Sequence, residues 1–158
     1  MLRISFTNDQ ERVAVDAVRL RDAVRHVLVA EKVRSADISI AVVDDVKMHE
    51  LNLKYLQHDY ATDVLSFRLD EEDGGPLEGE IIVSIDTAER EAEEYGWKRE
   101  DELLLYVIHG VLHLVGYDDQ EVADRKQMRD AEAHHLAQYG LVARHEDPLT
   151  DPHASDSP

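Results

Sequence analysis

His109 and His113 stand four residues apart in the run His109-Gly110-Val111-Leu112-His113-Leu114-Val115-Gly116-Tyr117-Asp118-Asp119. Residues four apart on an α-helix share a face, one turn above the other. Both imidazoles can therefore reach one ion. Gly116 follows three residues later and can take the left-handed conformation that ends a helix without a Cβ penalty. The chain then turns, and Asp119 can come back to the same ion. Asp118 competes for this third place, but its spacing is one residue short, so Asp119 is favoured. Otherwise Asp118 reads as a turn or capping carboxylate. Three protein ligands leave a position open for water, which is the arrangement of a catalytic metal rather than a structural one.

The donor set narrows the metal. With no cysteine in the chain there are no disulfides and no thiolate ligands. Two imidazoles and a carboxylate suit zinc, nickel, manganese or iron, and one zinc ion fits best. The aspartate leaves the site one charge more negative than three neutral imidazoles would, which lessens how far the ion acidifies water. The spacing is that of the metzincin proteases, which carry Glu directly after the first His as general base. Gly110 stands at that position, so the motif points to hydrolysis of something other than a peptide.

These side chains need a domain to hold them, and 158 residues suffice for one with its own core. Hydrophobic residues make up 43% and charged residues 33%, a soluble, globular balance. There is no apolar run of membrane-spanning length. The amino end passes directly into a strand-like pattern rather than a signal peptide, which favours the cytoplasm. The formal net charge of -18 repels nucleic acid overall and argues against a nucleic-acid coat protein, though a local cleft can still bind.

Arg3–Thr7, Ile38–Val43, Asp63–Phe67 and Glu80–Ile85 read as strands, the second because it alternates and is rich in β-branched residues. Helical spacing of Val18, Leu20, Val24, Val27 and Leu28 predicts a helix over 15–33. Asp44-Asp45 can cap a helix from Val46 to about Leu56, and residues 70–78 read as a solvated turn. Asp86-Thr87 starts a charged helix through about Tyr95, closed by Gly96. Glu100 to Val115 is apolar nearly all round, so it reads as a helix buried in mid-domain, whose two histidines need partners that a metal would supply. A last helix runs from about Gln120 to Tyr139. The expectation is a single α+β domain over 1–143. A small mixed sheet of about four strands packs with about five helices, and the metal site lies at the end of the buried helix. Residues 144–158 read as an acidic, disordered tail.

Other signals are weaker. Thr62 to Phe67 alone is a buried strand with a polar start. Gly79 to Ser84 reads either as a sheet edge along the metal cleft, offering backbone groups to an extended substrate, or as an ordinary internal strand. His134-His135 reads as a surface pair. His26, His49, His145 and His153 have no company that suggests chemistry, and His58 sits ambiguously in the polar turn before a strand.

Leu51-Asn52 with Tyr55, then Thr62-Asp63-Val64-Leu65-Ser66-Phe67, Gly79-Glu80-Ile81 and the run from His109 to Asp119 follow one another in an order that resembles the YbeY family. The resemblance covers about residues 1–140. It implies a one-zinc α+β endoribonuclease that cleaves single-stranded RNA. It further implies a role in 16S rRNA 3′-end maturation and ribosome quality control, in contact with rRNA, the small ribosomal subunit and ribosome-associated proteins. By the same resemblance His109 and His113 are the catalytic centre, and with Asp119 the metal ligands. Asp119 stands where the family usually has a third His. Leu56 stands where it usually has Arg, and Arg68 where it often has Pro. An arginine would hold phosphate bidentately, and its absence weakens that hold unless Lys54, His58 or Arg68 substitutes. Candidates for the general base are Asp63, Asp118 and a hydroxide on the metal. Two other readings stand beside the nuclease: a zinc metallopeptidase, and a non-catalytic ribosome-assembly factor whose metal only braces the fold.

Overall fold

Four strands rich in Val, Ile and Leu form in the computed structural model, which describes residues 1–56, 63–70 and 75–142. They are β1 (Leu2–Asn8), β2 (Ala36–Val43), β3 (Val64–Arg68) and β4 (Leu77–Ser84). The strands form one sheet in the order β1-β2-β4-β3. β1 and β4 both run parallel to β2, and β3 runs antiparallel to β4. This is the small mixed sheet expected. β4 is an internal strand, paired to Ala36–Val43 on one side and Val64–Arg68 on the other. The alternative of Gly79 to Ser84 as a sheet edge is thereby corrected. Ile81, Ile82 and Val83 are buried on both faces, as an internal strand requires.

Among the described residues five α-helices complete the α+β domain, in accord with the expected number: α1 (Ala17–Ala30), α2 (Asp45–Leu51), α3 (Ile85–Tyr95), α4 (Arg99–Leu114) and α5 (Val122–Ala137). α1 starts two residues later than its periodicity suggests, because Asp16 caps it and accepts from the Arg19 N–H at 3.1 Å. Leu20, Ala23, Val24, Val27 and Leu28 face inward, whereas Val18 is 68% exposed and does not join the core. Asp44 caps α2 as expected, accepting from the Lys47 N–H at 2.8 Å. The helix then widens into a π-helical turn over Asn52–Leu56 around the buried Asn52. Ser84 caps α3, and its hydroxyl donates to Asp45 Oδ1, which Thr87 also reaches. Arg90 donates to Asp45 Oδ2 at 2.6 Å. Although burial opposes it, these bonds from Ser84, Arg90 and Thr87 hold the Asp45 carboxyl below its usual range and tie α2 to α3.

α4 is the centre of the domain and packs against α1, α3, α5, β3 and β4. Its seat on the sheet is close. A Cβ on Gly110 would lie 2.7 Å from Ile81 Cγ2, and one on Gly79 would lie 2.7 Å from Leu114 Cδ1. The opposite face of the sheet carries a smaller cluster of Val43, Met48, Leu65 and Ile82 beneath α2. Among the described residues no helix is long and apolar enough to cross a membrane. The boundary at 143/144, the tail, His58, His145, His153 and residues 71–74 of the expected turn lie outside the described residues, and the last two positions of that turn, Leu77 and Glu78, already belong to β4.

Candidate metal centre

α4 carries His109 and His113 one turn apart, with ring centroids 4.6 Å apart and planes at 80°. The helix ends as the glycine predicts. Gly116 has φ +112, its N–H donates to His113 O at 3.1 Å, and the Tyr117 N–H donates to Leu112 O at 3.0 Å. This paired closure satisfies the last carbonyls and reverses the chain. The Tyr117 hydroxyl then donates to Glu31 Oε1 at 2.6 Å and pins the turn to the end of α1. Asp118 is exposed and its Oδ1 accepts the Asp119 N–H at 2.7 Å, so it shapes the turn and stays outside the cluster. Asp119 turns back to the histidines.

Three donor atoms converge. His113 Nε2 lies 3.1 Å from His109 Nε2. Asp119 Oδ2 lies 3.5 Å from His109 Nε2 and 3.4 Å from His113 Nε2. Ligand atoms bound at about 2.0–2.1 Å to one tetrahedral ion stand about 3.4 Å from one another. The separations fit a single ion held by His109, His113 and Asp119, and this trio is the group among the described residues able to hold a metal. The carbonyl end of α4 adds negative potential, which favours a cation there.

The second nitrogen of His109 is also engaged: Glu132 Oε2 lies 2.6 Å from Nδ1. Glu132 is 5% exposed and comes from α5, between the buried Met128 and Leu136. Burial alone would lower the His109 pKa. The Glu132 charge, the hydrogen bonds that Asp119 and Glu132 accept from the ring, and the more distant Asp63 outweigh burial and push it up to about 10. The same contacts from His109 and His113 hold the Asp119 carboxyl far below its usual range against the opposing effect of burial.

The spacing of the histidine motif does not reach Glu132, yet α5 carries a signal for it. Met128, Glu132 and Leu136 fall at i, i+4 and i+8, which places a carboxylate on the inward stripe of α5. The His134-His135 pair divides. His134 is exposed, but His135 is 3% exposed, so the surface reading holds for one and is corrected for the other by the inward turn of α5. His26 and His49 lie elsewhere, on α1 and α2.

A family model described as Endoribonuclease YbeY matches residues 5–140. The chain belongs to the YbeY endoribonuclease family. A YbeY endoribonuclease of Salinibacter ruber is 39% identical over 140 residues, covering 84% of this chain and 89% of that one. One of Pelotomaculum thermopropionicum is 41% identical over 149 residues, covering 88% and 98%. Among solved structures, the solution structure of a Thermotoga maritima protein superposes with TM-score 0.57 at 27% identity, covering 89% of this chain and 92% of that one. Within this YbeY domain the expected third-ligand place holds Asp119, which reaches both histidines. The place of the expected arginine is Leu56, the last residue of the π-helical turn.

Proposed function

We propose that this chain is a zinc-dependent endoribonuclease, a hydrolase that cuts phosphodiester bonds of single-stranded RNA. Its task is 16S rRNA 3′-end maturation and ribosome quality control in the cytoplasm. Its partners are rRNA, the small ribosomal subunit and ribosome-associated proteins, and the working unit is residues 1–143. Family membership supports RNA as the substrate. The observation that carries the metal dependence is the mutual spacing of the three donors, 3.1, 3.4 and 3.5 Å.

His109, His113 and Asp119 would hold the ion, and three protein ligands would leave it open to solvent and substrate. Bound there, zinc supplies a Lewis acid for charge developing on the scissile phosphate and lowers the pKa of water. Asp63 is the favoured proton acceptor. It lies half-buried at the start of β3, close enough for its charge to act on His109. Each carboxylate accepts the next residue's N–H at 2.7 Å, Asp63 from Val64 and Asp118 from Asp119, so the choice rests on Asp63 being half-buried where Asp118 is exposed.

A peptidase is disfavoured by packing. A Glu at position 110 would direct its side chain into Ile81, not toward a substrate at the metal. The assembly-factor reading keeps one supporting fact, the net charge of -18 that opposes RNA association. The deciding experiment is cleavage of a single-stranded 16S rRNA 3′-end fragment by purified zinc-loaded protein beside His113→Ala. Cleavage by the first alone is expected. Equal cleavage by both overturns the metal-dependent nuclease. Normal rRNA processing in cells by folded His113→Ala protein favours assembly over catalysis.

A further inference from the structure

Two of the three donors are imidazoles, and an imidazole ligates only through an unprotonated nitrogen. A neutral ring has one such nitrogen, and the hydrogen bond at the other decides which it is. His113 and Asp119 both face His109 Nε2, at 3.1 and 3.5 Å. The ring therefore serves the centre only when its proton sits on Nδ1. An ionised carboxylate is an acceptor alone. Glu132 Oε2, 2.6 Å from Nδ1, thus demands the proton at that nitrogen and leaves the Nε2 lone pair for the ion.

We infer that Glu132 is a positioning residue of the metal centre, fixing the His109 ring in the Nδ1-protonated tautomer with Nε2 directed at the ion. The inference rests on the metal-centre reading above. Glu132 suits the task because it is rigidly held. Its residue is 5% exposed, and Met128 and Leu136 one turn on either side are 1% and 0% exposed. Two helices meet in this bond: α4 brings the ligand and α5 the carboxylate, 23 residues further along the chain. α5 accordingly belongs to the centre, although it supplies none of the three ligands. Such outer carboxylates raise the basicity of the ligand and hold its ring angle, and losing one weakens metal affinity about 10–100-fold.

The test compares zinc affinity, by competition with a chelating indicator, in the full chain and in Glu132→Ala and Glu132→Gln. It adds a long-range proton–nitrogen correlation spectrum of the zinc-loaded full chain. Glu132→Ala should bind zinc about 10–100-fold more weakly. Glu132→Gln, whose amide oxygen still accepts from Nδ1, should recover most of that loss. In the spectrum His109 should carry its proton on Nδ1. Equal affinity in Glu132→Ala, an equal loss in both variants, or ligation of His109 through Nδ1 each overturns the inference. The spectrum requires no variant, so it decides even if Glu132→Ala fails to fold. Absence of zinc binding by the unaltered chain would instead overturn the metal centre itself.

Discussion

Gly110 is pressed against Ile81, so that a Cβ on Gly110 would lie 2.7 Å from Ile81 Cγ2 and 3.4 Å from Val64 Cγ2. Ile81 Cγ2 branches directly from a buried strand and cannot swing aside. Alanine at this helical position would gain about 1 kcal/mol from propensity. Overpacking a filled core costs about 1–3 kcal/mol, so the net effect is a loss. Gly110→Ala should lower the denaturant midpoint, and Ile81→Leu in the same chain, which removes the branching methyl, should restore part of it. A midpoint raised by Gly110→Ala would contradict the packing. Gly110→Glu, which writes in the peptidase motif, should fail to fold rather than cleave peptides.

The charge of His109 makes the metal-free protein pH-sensitive. Its pKa rises from 6.5 to about 10 on folding, because the Glu132 charge and the contacts with Asp119 outweigh burial. A raised pKa contributes stability that is fully present below 6.5 and is lost as the pH climbs through about 10. In chelator, the melting temperature of the unaltered chain should exceed that of His109→Ala most near pH 6, and the gap should narrow by pH 10. Zinc requires the neutral ring, so its affinity should rise over the same interval. A gap that widens with pH would refute the sign.

Asp119 contacts both histidines, at 3.4 and 3.5 Å. Asp119→Ala should lose zinc binding, while Asp119→His should keep it. With a neutral third ligand the centre is one charge less negative and acidifies water more strongly. The pH at which RNA cleavage sets in should therefore fall in Asp119→His. Profiles of kcat/KM against pH for the two proteins make the comparison, and superimposable profiles would show that the third ligand's charge does not matter.

The Tyr117 hydroxyl and Glu31 Oε1, 2.6 Å apart, anchor the turn that delivers Asp119. A hydrogen bond to a charged acceptor contributes about 1.5–3 kcal/mol. Tyr117→Phe should lose stability on that scale or slightly below it, since both groups are only half-buried. It should also weaken zinc binding by loosening the turn. Unfolding in urea, with and without zinc, separates the two effects, and unchanged values in both would remove the anchor from the account.

Much of this centre is written in local order. Four-residue spacing on one helix is enough to place His109 beside His113, since helical geometry depends only on neighbouring residues. Gly116 at the helix end and Asp119 three residues on are likewise local, as are the caps at Asp44 and Gly96. The strands follow from short runs rich in Val, Ile and Leu, and α4 from an apolar run too long for a strand. What tertiary structure alone decided concerns partners far apart in the chain. The order β1-β2-β4-β3 makes β4 internal, and no periodicity distinguishes an internal from an edge strand when both are short and apolar. Val18 fits the helical pattern of α1 and still faces solvent, because the width of the buried stripe is set by what α1 packs against. Gly110 reads from sequence as a missing base, and only Ile81 explains why no side chain fits there. Glu132 finds His109 across 23 residues by the packing of α5 on α4. The ligands lie within eleven residues of chain and are legible in it. Their support comes from the whole domain, because orienting a ring needs a second rigid element and the core that holds it there.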